Sequence, residues 1–190
     1  MKCGSNTVVF NKDEHIREDV TLEDLGKLRP AFKKDGSVTP GNASGINDGA
    51  AALVMMSEGA AKKASIKPLA RLIGYIHAAV DPSEMGIGPV PAVNRLLKKT
   101  GLSVSDMDVI ESNEAFAAQA CAVARDLEFP SHKTNPNGGA IALGHPVGAT
   151  GAILTVKALY ELQRTGGRYG LITMCIGGGQ GIAGIIEAVS

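Results

Sequence analysis

Tyr169-Gly170-Leu171-Ile172-Thr173-Met174-Cys175-Ile176-Gly177-Gly178-Gly179-Gln180-Gly181-Ile182-Ala183-Gly184-Ile185-Ile186-Glu187-Ala188-Val189 decides the fold class. Residues 169–175 are a short apolar run, which reads as a buried strand, and residues 182–189 read as a second. Between them, Gly179 to Gly184 matches the GxGxxG pattern of dinucleotide-binding domains. That fingerprint must open a helix and be followed by an acidic residue about 20 positions on. Here an apolar strand follows, so the glycines read as a strand-to-strand turn. There is no Walker A lysine.

Upstream, helices and strands alternate. Residues 148–164 read as a helix with a small-residue start (Gly148, Ala149, Gly151, Ala152). Residues 115–127 read as a helix apolar on nearly every face, which predicts a buried element. Val109-Ile110 is a short strand. Residues 89–99 carry apolar residues at helical spacing, with Lys98 and Lys99 in the last turn and Gly101 as stop signal. Residues 69–80 form a long strand candidate. Ser57 caps a helix over 57–64, and 48–56 is a small-apolar run that reads as a buried strand. Thr21 to Leu25 reads as a capping box. Residues 7–10 form a short strand candidate, and the remainder of 1–47 is a polar loop broken by Pro30, Gly36, Pro40, Gly41 and Gly45. A loop of that length is functional or covers another domain. The alternation makes the class α/β.

Composition excludes several functions. The chain has 190 residues, with 44% hydrophobic and 20% charged, so a packed core is expected. Lys+Arg and Asp+Glu both number 19, which argues against nucleic acid as partner. No apolar run reaches the roughly 18 residues of a membrane span. The N-terminus lacks the apolar stretch of a secretory signal. Three widely spaced cysteines (Cys3, Cys121, Cys175) read as reduced thiols in a cytoplasmic-type compartment. His15, His77, His132 and His145 sit at no metal-ligand spacing, so no metal is expected. Cys121 reads as core packing and Cys3-Gly4-Ser5 as incidental.

Three motifs carry chemistry. Asn113-Glu114-Ala115-Phe116 sits at a strand-to-helix junction. Asn is a good helix cap; it is also a polar group at a strand's carboxyl end, where α/β proteins place sites. Taken alone, the cap is the better reading. In residues 137–148, two glycine turns frame His145 ahead of a helix N-terminus. Such a position favours neutral imidazole, able to act as base or oxyanion donor; a packed loop histidine is the alternative. Cys175-Ile176-Gly177-Gly178-Gly179 sets a thiol beside free backbone amides, which can form an oxyanion hole and favour thiolate. A buried structural cysteine is the alternative.

Together these motifs, in this order, resemble the thiolase family over essentially the whole chain. Asn42 to Gly49 looks like its coenzyme A-binding loop, and Met85-Gly86-Ile87-Gly88-Pro89 is also thiolase-like. The resemblance implies a thiolase-like fold: residues 1–47 as the end of the coenzyme A-binding loop region, 48–67 as the last strand and helix of a first domain, and 68–190 as a second, βαβαββ-type domain with buried small-residue helices. It implies a Claisen acyl transfer of the acetyl-CoA C-acetyltransferase type, the alternative being the degradative 3-ketoacyl-CoA type. His145 would activate a nucleophile and line one oxyanion hole, and Asn113 would hold a water there. Cys175 would move the α-proton, and the Gly177 amide would serve the second oxyanion hole. Ser44, Gly45, Arg17, Phe32, Phe116 and Met85 would contact coenzyme A or the acyl end. No cofactor is implied, because the coenzyme A thioester is the substrate.

The family's nucleophile lies in an N-terminal half that this sequence does not match. The expectation is a chain inactive alone that needs an N-terminal thiolase half or self-association, with homo-oligomers typical. A non-catalytic module binding coenzyme A or a partner is the competing reading.

Overall fold

The computed structural model describes residues 2–3, 6–7 and 9–189, with side chains from residue 9 onward. At the N-terminus, β1 (Lys2–Cys3) pairs antiparallel with β2 (Asn6–Thr7). Of the strand expected over 7–10, Thr7 ends β2, Val9 and Phe10 are exposed coil, and Val8 lies outside the described residues, as do Gly4 and Ser5. α1 (Leu22–Gly26) opens on the expected capping box: Asp24 N–H donates to Thr21 Oγ1 at 3.1 Å and Thr21 N–H to Asp24 Oδ2 at 3.2 Å. α2 (Glu58–Lys63) is capped by Ser57, whose Oγ accepts from Ala60 N–H at 3.2 Å.

The strand expected over 48–56 does not form. The segment is irregular and exposed throughout, and no backbone hydrogen bond ties it to another described residue. Its composition suits a buried strand, but a strand needs a ladder partner, and no described strand lies beside it.

From residue 70 the expected alternation holds. β3 (Ala70–Ala79) leads through 3₁₀ turns at 82–87 into α3 (Pro89–Thr100), closed by Gly101. β4 (Val109–Ser112) leads to α4 (Ala117–Asp126), the short α5 (Ala140–Leu143) and α6 (Thr150–Thr165). β5 (Tyr169–Cys175) and β6 (Gln180–Ala188) finish the sheet, ordered β3-β6-β5-β4. β4 runs parallel to β5; the other neighbours are antiparallel.

Strand alternation sorts the core into two layers. Ile110, Leu171 and Ile185 face α3 and α4, packing with Val93, Leu96 and Val123. Their neighbours Val109, Ile172 and Ile186 face α6, packing with Leu154, Ala158 and Leu162. Period-2 side-chain direction thus gives a helix–sheet–helix sandwich. β5 is buried on both faces, which accounts for its continuous apolar run.

α4 corrects the expectation of a helix buried all round. Only Gln119 and Val123 on it are buried, and Cys121 is exposed rather than core-packed. Small residues are compatible with burial, but α4 packs one face on the sheet side and presents the other outward.

The GxGxxG segment forms the predicted turn. Cys175 pairs with Gly181, Ile176 N–H donates to Gln180 O at 3.0 Å and Gln180 N–H to Gly177 O at 2.9 Å. Gly177, Gly178 and Gly179 hold φ of 86°, 58° and 82°, a run of left-handed backbone that only glycine adopts without strain.

Candidate active site

The parallel register of β4 and β5 sets the site. Ser112 lies opposite Thr173, and Asn113 N–H donates to Thr173 O at 3.0 Å. Asn113, just past β4, and Cys175, ending β5, therefore stand at the same carboxyl end of the sheet. α/β sheets hold sites there because loops converge at strand ends.

Asn113 is not a helix cap: α4 begins at Ala117 with Phe116 in the cap position. Its side chain is 1% exposed and meets His145, Nδ2 to Nε2 at 3.3 Å, while its Oδ1 is buried without a partner. An orphaned buried carbonyl of this kind marks a place for a donor such as water. His145 follows α5 in a loop fixed from several sides. Its N–H donates to Gly45 O and to Asn47 Oδ1, both at 3.1 Å, and its Nδ1 lies 2.7 Å from Thr150 Oγ1 at the start of α6. Burial holds its pKa below the usual 6.5. The neutral ring expected from a helix N-terminus thus has desolvation as its cause.

Cys175 departs from expectation. It is 6% exposed, and burial pushes its thiol pKa up from the usual 9.0, against a smaller opposing backbone hydrogen bond. The adjacent amides do not make it a resting thiolate; a buried thiol disfavours charge more than those amides favour it. Gly177 is exposed, and its N–H has no acceptor among the described residues, so it is free to donate.

Several residues read as coenzyme A or acyl contacts gather beside this pair. Ser44 Oγ donates to Ala115 O at 3.0 Å, Ala117 N–H donates to Asn42 O at 2.9 Å, and Ala43 bridges Phe116. These bonds bring the 42–45 loop onto the 113–117 junction, with Gly45 on His145. The Phe32 and Phe116 rings meet edge-on, centroids 5.8 Å apart. Met85 sits in the 3₁₀ turns that pack over α4 and the start of β6. There Gly88 and Gly181 approach so closely that a Cβ on Gly88 would come within 2.8 Å of the Gln180 backbone. Arg17 is not brought in: it is exposed, and its guanidinium donates to Glu14 O at 3.3 Å. Two concavities of about 580 and 350 Å³, lined around His15 and Asn47 and around Lys157 and Arg164, touch neither Asn113 nor Cys175.

Sequence reasoning missed the residues that fix the two loops. Asn135 caps the end of β4: Ser112 N–H donates to its Oδ1 at 2.9 Å, and its Nδ2 donates to Ser112 O at 2.9 Å and Glu114 Oε1 at 3.0 Å. Lys157 donates to the fully buried Glu111 at 2.7 Å and to Gly138 O at 2.6 Å, tying α6 to β4 and to the loop before His145. Asn47 and Thr150 hold His145 directly. Asn47 lies in the stretch read as the coenzyme A-binding loop and Thr150 in the helix read over 148–164, but neither was read as a partner of His145.

This is an α/β sandwich whose polar site lies at the carboxyl ends of a parallel strand pair. Residues 66–188 match the thiolase C-terminal domain and residues 1–59 the thiolase N-terminal domain. The chain belongs to the thiolase family. It is 62% identical over 189 residues to Beta-ketothiolase BktB of Cupriavidus necator, covering 99% of this chain and 48% of that protein. It is 56% identical over 179 residues to the acetyl-CoA acetyltransferase of Allochromatium vinosum, covering 94% of this chain and 45% of that protein. The crystal structure of the Bacillus anthracis acetyl-CoA acetyltransferase superposes with a TM-score of 0.91 at 53% identity, over 100% of this chain and 48% of that one. Human mitochondrial 3-ketoacyl-CoA thiolase in complex with CoA gives 0.84 at 52% identity, over 95% and 46%. The chain spans about half the length of the curated relatives it matches. No helix among the described residues is long and apolar enough to cross a membrane.

Proposed function

We propose that the chain supplies the histidine, asparagine and acid–base cysteine of an acetyl-CoA C-acetyltransferase, which joins two acetyl-CoA into acetoacetyl-CoA and coenzyme A. The hydrogen bond between Asn113 and His145, at the strand end shared with Cys175, carries this reading. Neither Cys3, in the Cys3-Gly4-Ser5 stretch read as incidental, nor Cys121, exposed on α4, stands in the context the family gives its nucleophile. The nucleophilic thiol is assigned to a complementary N-terminal thiolase segment.

In this reaction His145 takes the nucleophile's proton, and the thiolate adds to the acetyl-CoA carbonyl. The tetrahedral oxyanion is held by His145 and a water on Asn113. Coenzyme A leaves with the Cys175 proton, so the acetyl-enzyme forms beside a Cys175 thiolate. That thiolate removes an α-proton from the second acetyl-CoA, and the enolate oxygen accepts from Gly177 N–H. The α-carbon attacks the acetyl-enzyme, whose thiolate leaves and recovers its proton from His145. A thiol with raised pKa gives a stronger base once deprotonated, which suits a weakly acidic C–H. Ser44, Gly45, Phe32, Phe116 and Met85 bind the coenzyme A thioester, and no separate cofactor takes part. Arg17 joins them only through movement of its exposed loop.

Intact mass spectrometry after incubation with acetyl-CoA tests this. The pure chain is expected to stay unacetylated, and adding a complementary N-terminal thiolase segment is expected to restore acetoacetyl-CoA synthesis. Turnover by the pure chain, or a stoichiometric adduct on Cys175, overturns the assignment. Retained coenzyme A binding without rescue favours a non-catalytic binding module.

The relatives favour a second reading, since the 62% match is named a beta-ketothiolase and the human 3-ketoacyl-CoA thiolase is 57% identical. The same residues run in reverse cleave a 3-ketoacyl-CoA with coenzyme A. Comparing kcat/KM for acetoacetyl-CoA and longer 3-ketoacyl-CoA in the complemented protein separates the two. A reducing, cytoplasmic-type compartment fits the thiols, although the human relative is named mitochondrial.

A further inference from the structure

We propose that Thr150 is a positioning residue that fixes the tautomer of His145, leaving Nε2 unprotonated. Thr150 is 4% exposed, and its Oγ1 lies 2.7 Å from His145 Nδ1 and 2.9 Å from Pro146 O. A hydroxyl has one proton. Pro146 O also accepts Ala149 N–H at 2.8 Å and Thr150 N–H at 2.9 Å, and, being an acceptor only, its contact with Thr150 Oγ1 is a bond only if the hydroxyl donates, the usual i to i−4 bond of a threonine on a helix. Were the hydroxyl turned toward the ring, two oxygens would face each other at 2.9 Å with no proton between them. The remaining Thr150 lone pair therefore accepts from His145, and Nδ1 must carry the hydrogen. Nε2 is then the unprotonated nitrogen, and it faces Asn113 Nδ2, a donor, at 3.3 Å. The relay runs in one direction: Asn113 N–H to His145 Nε2, His145 Nδ1–H to Thr150 Oγ1, Thr150 O–H to Pro146 O.

Under the acyl-transfer reading, on which its purpose rests, this orientation leaves the lone pair of Nε2 to take a thiol proton. The orientation itself is measured without any turnover. Long-range ¹⁵N–¹H correlation spectra of the histidine-labelled chain at neutral pH are expected to give His145 the Nδ1–H pattern. Thr150→Ser keeps the hydroxyl and should preserve it. Thr150→Val removes the acceptor and should move the tautomer ratio toward Nε2–H roughly tenfold, the scale of one net hydrogen bond. An Nε2–H pattern in the unmodified chain overturns the proposal whether or not any variant folds. An unchanged pattern in a folded Thr150→Val chain overturns it as well. Failure of acetoacetyl-CoA synthesis with the Nδ1–H pattern intact counts against the acyl-transfer reading and leaves the tautomer assignment standing.

Discussion

Burial governs the titrating residues of the site and opposes charge at both His145 and Cys175. Folding lowers the proton affinity of His145, so the unfolded chain binds more protons as pH falls. The stability linked to a neutral His145 is fully present above the ordinary value of 6.5 and is lost as pH drops through it toward the lower folded-state value. Urea denaturation between about pH 7 and pH 5 should show a steeper loss of stability than in His145→Gln. Equal slopes would remove the desolvation argument. Cys175 makes a kinetic prediction. With Cys3 replaced by serine, native iodoacetamide labelling should modify the exposed Cys121 before the buried Cys175. Faster labelling of Cys175 would restore the thiolate expected from the sequence. The three glycines after Cys175 announced free amides, and those were legible. β6, which pairs with Cys175 at Gly181, follows it directly in the chain and was legible, but the 82–87 turns that pack against β5 lie far upstream, and no local pattern encodes that contact.

Elements were legible where one period persisted. α3 shows its apolar stripe, its terminal lysines and its Gly101 stop; β5 shows an unbroken apolar run because both its faces are covered. α4 misled because alanine suits either environment. The link between Lys157 and Glu111 was invisible, since nothing in either neighbourhood names its partner 46 residues away. Glu111 is fully buried and its Oε1 has no partner, so Lys157 supplies its only ionic compensation among the described residues. Lys157→Met should destabilise the chain by about 3 kcal/mol, the cost of leaving a buried charge unpaired. Adding Glu111→Gln should recover part of that loss. An unchanged urea midpoint for the single variant sinks the account. Backbone approach gives a second prediction at this scale. A Cβ at Gly181 would overlap the Gly88 carbonyl and Pro89, so Gly181→Ala must push the 82–88 turns off β6. A cost of roughly 1–3 kcal/mol is expected, with weakened coenzyme A binding if Met85 lines the acyl site. Native stability and affinity in that variant would show the turns free to move.

Across the whole molecule, packing is lopsided. Among the described residues, the large buried aliphatic side chains all lie beyond residue 90, and before residue 70 only Ala61 is buried. Residues 48–56 expose Leu53, Val54, Met55 and Met56 in one continuous run, at 38%, 89%, 69% and 45%. Monomeric proteins rarely present such a contiguous apolar stretch, and an unpaired one seeks a sheet edge. The matched relatives are about twice as long, and residues 1–59 match the thiolase N-terminal domain, so the expected cover for this run is the rest of that domain or another copy of the chain. The chain should therefore self-associate. Size exclusion with light scattering across a dilution series is expected to show oligomers that dissociate on dilution. A double variant, Val54→Lys with Met55→Glu, should shift the distribution toward monomer without changing the urea midpoint of the 70–188 sandwich, because both side chains are largely exposed. The complementary N-terminal segment should do the same by capping the run, and in hydrogen exchange it should turn 48–56 from fast to protected. A stable monomer at micromolar concentration with 48–56 already protected would mean that the run packs onto the sandwich itself, and the assignment of this segment to a first domain would fall.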